Sequence, residues 1–319
     1  MSTAGWLARR MAGGAVVLLL ISLIAFSLGS LAPGDPAQIM LMRRTGEAPS
    51  DEEVRQVRHE LGLDRPFPAR YADWLGGAVR GRFGVSYRSG QPVFEELRAR
   101  LPATLALAIS ALLLGLVLAV PLAVISAMAR DSPVDHAARV IALVGVSMPS
   151  YWLGYILMLV FAVGLRLLPV SGAGGAAHLV LPALTLALGS AANITRLLRA
   201  NLLDELGSDY VRSARAKGLP ALRVLTRHAL RNALNPLVSV SALRFGRLLG
   251  EAAIVETVFA WPGVGRWMVD SIYDRDYPAI QGFVLYIATV FVVINVIVDV
   301  SYRVLDPRVR VGSRATASG

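Results

Sequence analysis

The 319-residue sequence contains no cysteine, one lysine and only 17% charged residues. Without cysteine there is no disulfide framework, no thiol nucleophile and no sulfur-ligated metal site. The single lysine, Lys217, does not follow a GxxxxG pattern and is followed by Gly218 rather than Ser or Thr, so there is no phosphate-cradling P-loop. Any ATP that drives this protein must be bound by another chain. The four histidines, at positions 59, 136, 178 and 228, lie far apart and form no HExxH pattern, and no Gly-x-Ser-x-Gly elbow occurs. The low charge also separates the chain from soluble enzymes, in which about a quarter of residues are charged.

What the sequence has instead is apolar length. Hydrophobic residues make up 55% of it and the mean hydropathy is +0.56, which excludes intrinsic disorder. Six apolar stretches, at 11–32, 101–129, 140–163, 179–194, 236–260 and 282–300, approach or exceed the ~20 residues of a bilayer-crossing helix. The fourth is short, and the fifth carries Arg244, Arg247, Glu251 and Glu256. The first follows Arg9 and Arg10 as a signal peptide would, but its apolar run is longer than a cleavable segment, so a retained helix is predicted.

The net charge of +10 could suit nucleic acid, an anionic surface or membrane topology. Nucleic-acid binders gather basic residues on one face with stacking aromatics, whereas these arginines cluster between uncharged runs. With the N-terminus in the cytoplasm, sixteen basic residues fall in inside segments and three (Arg166, Arg266 and Arg275) in short outside loops. That bias predicts both termini inside. Segment 33–100 differs in kind, with 11 basic and 10 acidic residues in 68 positions, and reads as a water-exposed insertion on the outer side.

Within that insertion Ser50 and Glu53 form a capping box, Val54, Val57 and Leu61 a stripe, and Gly62 a stop. A second helix is predicted over 68–79 with Tyr71, Trp74, Leu75 and Ala78 on one face, and an interfacial helix over 92–100. These faces either pack on the bundle or dock an outside partner.

The inside loop 196–235 contains DYVRSARAKG at 209–218 and RHALRNALNP at 227–236. Gly218 ends one helix in the left-handed region, and Pro220 opens the next. On the second helix Arg223, Arg227 and Arg231 recur every four residues, opposite Leu222, Leu225, Ala229 and Ala233. Such a hairpin could lie on anionic lipid, but the small residues Ser213, Ala214 and Ala216 before a tight turn favour a knob for a protein groove.

This loop resembles the EAA motif of ABC-importer permeases, in the form of the dipeptide/oligopeptide/nickel branch. The likeness extends to LARRM at 7–11, LAPGDP at 31–36, LGLDRPFPARYADWL at 61–75, GRFGVSY at 81–87, ETVFAWPGVGRWMVDSI at 256–272 and LDPRVR at 305–310. Arg212 stands where the general motif has glutamate, and Pro236 arrives late, both as in the peptide branch. The resemblance implies an all-α, six-span type I importer permease of the B-type, a single transmembrane domain over 1–319, in a bacterial inner membrane. It implies a sister permease, two ATPase subunits that hold ATP and magnesium, and an extracytoplasmic binding protein, with no cofactor or enzyme activity in this chain. Asp209, Arg212, Ala214, Lys217 and Gly218 are the residues it places at the ATPase contact. The implied solutes are peptides, with nickel or metal chelates as the alternative.

In the fifth stretch Arg244, Arg247 and Glu251 share one helical side, with Glu256 further on, and charges inside a span are costly enough to indicate a wet path or a partner. They either line a translocation path, meeting a peptide's carboxylate and amine, or form an internal salt bridge. Phe259 and Trp261 read as an interfacial aromatic belt or a gate. A secondary transporter is the alternative of another class, but it predicts coupling carboxylates deep in spans, and only Glu251, Glu256 and Asp299 qualify, with no inverted repeat.

Overall fold

The structure is a computed structural model that describes residues 3–31 and 34–305. The C-terminal arginines 308, 310 and 314, most of the 305–310 motif and the polar tail therefore lie outside the described residues, as do the side chains of Arg303 and Asp299. Among the described residues the chain is helical, with one isolated antiparallel bridge between Val85 and Pro92.

In chain order the helices are α1 (Thr3–Leu31), α2 (Pro36–Thr45), α3 (Asp51–Glu60), α4 (Phe67–Ala78), α5 (Val93–Met128), α6 (Pro133–Ser147) and α7 (Ser150–Leu157). A π-helical segment, Met158–Gly164, continues α7. There follow α8 (Ala176–Leu206), α9 (Asp209–Ala216), α10 (Ala221–Val224), α11 (Leu230–Ala233), α12 (Asn235–Val258), α13 (Val264–Tyr273) and α14 (Tyr277–Leu305). The chain divides into two compact units, Met1–Pro102 with Gly263–Gly319, and Ala103–Pro262.

Among the described residues four helices are long and apolar enough to cross a bilayer, over Gly5–Leu31, Val93–Met128, Ala176–Leu206 and Tyr277–Ile297. The stretch 140–163, predicted as one span, is broken, with α6 and α7 meeting at 106°. Pro149 lacks an N–H and excludes Met148 from the helical region, leaving it extended at ψ 130°. The helix predicted at 179–194 runs on to Leu206, so the first residues of the 196–235 loop are helix. α12, also predicted as a span, carries four charged residues and falls short of the apolarity of the others.

In the first unit α1 lies along α14, closely enough that a Cβ on Gly14 would stand 2.8 Å from Val292 Cγ1. α4 packs on α1 through the ring of Phe26, which meets Phe67, Tyr71 and Trp74 at centroid distances of 5.4–5.6 Å. Ser22, fully buried in α1, hydrogen-bonds the Tyr71 hydroxyl at 2.8 Å. The capping box forms as predicted: Ser50 N donates to Glu53 at 2.8 Å and Glu53 N donates back to Ser50 Oγ. Donation from Ser50 N, and then from Ser50 Oγ, holds the Glu53 carboxyl below its ordinary value. Gly62 adopts φ +64°, the left-handed stop its position requires. The predicted interfacial helix 92–100 is instead the opening of α5. Val93 and Leu97 are fully buried against Phe83 and Trp267, so the apolar face of this segment packs on the protein, while Glu95 and Arg98 are exposed.

The second unit is built on small residues. Ala119, Ala123 and Ala127 of α5, spaced four residues apart, present a ridge to Ala191, Ile194, Leu198 and Leu202 of α8. Gly115 deepens the approach, since a Cβ there would stand 3.3 Å from Ser190 Cβ.

Candidate functional site

Three features of the second unit bear on function. The first is the segment that follows α8. Gly207 ends α8, and after Ser208 the eight residues of α9 begin. α9 closes in a full Schellman turn. Gly218 N donates to Arg215 O at 2.9 Å, Leu219 N donates to Ala214 O at 3.3 Å, and Gly218 sits at φ +78°. A small apolar core of Val211, Ala214, Val224 and Ala229 holds the helix down. Tyr210 fastens it sideways: its hydroxyl donates to the Glu205 carboxylate and accepts from Asn232 Nδ2 at 3.0 Å. Partial burial and the Glu205 bond push the Tyr210 phenol up.

The result is a rigid knob with a charged outer face. Asp209 and Arg212 have side chains 94% and 79% exposed and pair at 3.5 Å, a contact worth little in water. Arg215, Lys217 and Gly218 are exposed beside them. Ala214 faces the other way, and at 8% exposure its methyl group packs in the knob's core. Beyond the turn the expected helical register changes. Leu225–Ala229 is a π-helical turn, so Val224 takes the inward place expected of Leu222, which is 64% exposed, while Leu225, Ala229 and Ala233 remain buried.

The second feature is an anchor that the sequence reading missed. Asp135, at the start of α6, is fully buried and receives Arg199 of α8 in a two-pronged bond, Nε to Oδ1 at 2.8 Å and Nη2 to Oδ2 at 2.6 Å. Ser126 of α5 donates to the same carboxylate and accepts from Arg199 Nε at 3.0 Å, and Asp131 N donates to Oδ2 at 3.1 Å. One carboxylate thus ties α5, α6 and α8 together where α8 leads toward the knob. Asp135 and Arg199 are 64 residues apart, so no local spacing reveals the pair.

The third feature is on α12. Arg244 and Glu251 join in a bidentate pair at 3.0 Å for both bonds, and Arg244 Nε donates to Ser190 Oγ of α8 at 2.9 Å. The pair lines an open hollow of about 250 Å³ with Met148, Ser150, Thr185 and Asn193. Arg247 does not join it; its side chain is exposed on the neighbouring side of the helix. Glu256 lies apart from the hollow, fully buried, and accepts from Thr104 Oγ1 at 2.5 Å. Phe259 and Trp261 are 1% and 8% exposed, so they form no lipid-facing belt. Phe259 packs against Gly154, and the Trp261 indole donates to Ala103 O at 3.0 Å. Among the described residues no group of three or more histidine, aspartate or glutamate side chains could hold a metal ion.

The chain matches the family model described as "Binding-protein-dependent transport system inner membrane component" over residues 119–311, and the model for that family's N-terminal region over residues 4–108. It is 39% identical to the dipeptide transport system permease protein DppB of Escherichia coli K12, across 91% of this chain and 94% of that protein. It is 38% identical to the glutathione transport system permease protein GsiC of the same strain, across 95% and 97%. Among solved structures, an inward-facing form of the MetNI methionine ABC transporter superposes with a TM-score of 0.57 over 66% of this chain and 96% of that one, at 21% identity, which speaks for the fold alone. With family models covering both its N-terminal and its larger C-terminal part, this chain belongs to the binding-protein-dependent transport system inner membrane components, the permease subunits of ABC importers.

Proposed function

We propose that the chain is one of two permease subunits of an ATP-driven importer that takes up di- and oligopeptides across a bacterial inner membrane. The observation that carries this reading is the likeness to peptide permeases along nearly the whole chain. The six spans are α1, α5, the bent pair α6–α7, α8, α12 and α14, with both ends of the chain in the cytoplasm, as the distribution of basic residues favours. Residues 33–100 then face the binding protein's side and 196–235 the ATPases. The exposed face of α9, with Asp209, Arg212, Lys217 and Gly218, is the surface that enters an ATPase groove, where the basic groups find acidic partners. ATP and magnesium act in the ATPase subunits, whose closure biases the permease between inward- and outward-open states.

The test is co-purification and reconstitution. The tagged chain should bring down a second permease and an ATPase, and the complex should accumulate a dipeptide in proteoliposomes only with ATP and the binding protein. Dipeptide exchange by the chain alone, without ATP, would defeat the proposal.

The Arg244–Glu251 pair is the candidate contact on the translocation path. A zwitterion can enter between the two side chains and give each a replacement partner, its carboxylate to Arg244 and its ammonium to Glu251. A simple cation or anion would pair with one side chain and leave the other without its partner, at a cost moderated by solvent, since the Glu251 side chain is 42% exposed. Arg244→Gln with Glu251→Gln keeps the shape and removes both charges. Peptide uptake by that double variant is expected to fall about tenfold, matching the loss of ~1.4 kcal/mol of charge-assisted hydrogen bonding, while binding-protein-stimulated ATPase activity persists. An unchanged KM and maximal rate for every dipeptide tried would remove the pair from the path.

A further inference from the structure

The first compact unit contains a second hollow, of about 370 Å³, that transport by the reading above does not use. It lies between the last turns of α1, the helix α4, the loop before α5 and the first turn of α14. Its volume is within the range of small-ligand sites. Arg65, Arg70 and Arg82 line it against a single acid, Asp73, which is already paired with Arg65. Arg70 and Arg82 have no carboxylate partner among the described residues; Arg70 stands 5.9 Å over the Phe26 ring.

The uncharged polar groups of this hollow are also unfilled. Ser30 Oγ and Trp74 Nε1 are buried without a hydrogen-bond partner. Gln281, only 8% exposed, lines the same space, and its amide bonds to no described residue. Tyr87 completes the wall; burial and the nearby Asp276 push its phenol up to about 12, so it stays a neutral O–H donor at any physiological pH. Buried donors are rarely left without acceptors, and here they surround a site with an excess of two positive charges. The complementary ligand is an anion rich in acceptor oxygens, for which arginine is the preferred partner when the anion is phosphate.

The position of the hollow, beside two apolar helices, favours a lipid as the source of such an anion. The hollow sits at one end of two helices apolar enough to span a bilayer, α1 and α14, and its lining includes Trp74, Tyr87 and Tyr277, residue types that gather at membrane interfaces. Leu19 and Leu23 lie on the same side of α1 as the hollow-lining Phe26 and Ser30, and are 50% and 40% exposed. They offer an apolar strip to an acyl chain whose headgroup occupies the hollow. We propose that this hollow binds the phosphodiester headgroup of an anionic phospholipid, with Arg70, Arg82, Trp74 and Gln281 as its ligands. This assignment depends on the membrane placement of α1 and α14 and is independent of the solute carried.

The test uses the full permease, in complex with its partners, in nanodiscs of phosphatidylglycerol or of phosphatidylcholine. Thermal unfolding is expected to occur roughly 5 °C higher in phosphatidylglycerol. The difference should vanish in the Arg70→Gln, Arg82→Gln variant. If that variant is not recovered folded, Trp74→Phe, which removes the N–H donor and keeps an aromatic ring, should reduce the difference, and mass spectrometry of the wild type should find retained phosphatidylglycerol. Equal stability in both lipids, or the same lipid preference in wild type and variants, would overturn the proposal. So would equal protection by inorganic phosphate in phosphatidylcholine discs, which would mark an anion site without lipid. Protection that depends on the two arginines and comes only from the binding protein would assign the site to an acidic protein surface instead.

Discussion

A Gly218→Val permease should assemble with its ATPases and lose peptide uptake by about tenfold or more. The reason is conformational. Gly218 holds φ +78°, and a Cβ built on it meets nothing within 4 Å, so bulk is not the obstacle. A β-branched residue resists the left-handed region by about 1–2 kcal/mol or more, enough to open the turn that points α9 outward. Gly218→Asn separates this cause from any other, because asparagine tolerates the same conformation and should retain most uptake. The measurement is uptake against binding-protein-stimulated ATPase activity in proteoliposomes. Valine should leave hydrolysis running without proportionate transport. Equal uptake by valine, asparagine and wild-type proteins would show that the turn transmits nothing.

Removing the carboxylate of Asp135 should be the most destabilising single change in the second unit. Asp135→Ala leaves Arg199, whose side chain is 18% exposed, without its counter-charge, and strands Ser126 and the Asp131 N–H beside it. Breaking a buried pair from one side typically costs about 3–5 kcal/mol, because the surviving charge remains unsolvated. Thermal unfolding in detergent should show this loss. Arg199→Leu combined with Asp135→Ala should recover much of it, since the two sites share one network and their effects will not add. If both single variants unfold at the wild-type temperature, the network is not what fastens α6 to α8.

Local chemistry made much of this legible in the amino-acid sequence. The Ser50–Glu53 box, the stops at Gly62 and Gly218 and the buried face of α4 each depend on residues within one or two turns of one another. The break at Met148–Pro149 was signalled by the proline, but the apolar run continues through it and hydropathy alone reads it as one span. The π-helical turn at Leu225–Ala229 was hidden for a similar reason, since Leu225, Ala229 and Ala233 are spaced as an ordinary helix would space them. The motif names Ala214 but not the direction it faces, which depends on the Val211, Val224 and Ala229 side chains packed with it. Asp135, Arg199, Arg244 and Ser190 required the tertiary structure, because each contact joins residues on separate helices.

The absence of every lysine but one, combined with the place of that one, makes the protein its own reporter. Lys217 is exposed at the tip of the α9 knob, immediately before the left-handed turn. An amine-directed fluorophore would therefore mark one side chain, at the surface proposed to enter the ATPase, besides the α-amino group, which reacts at lower pH, and a lysine-specific protease would have one bond to cut. With no cysteine to compete, a second dye on a single introduced thiol would give a distance to that point without first removing native cysteines. Protection of Lys217 from acylation, followed through the nucleotide cycle, would read the engagement of the knob directly in the unmutated chain.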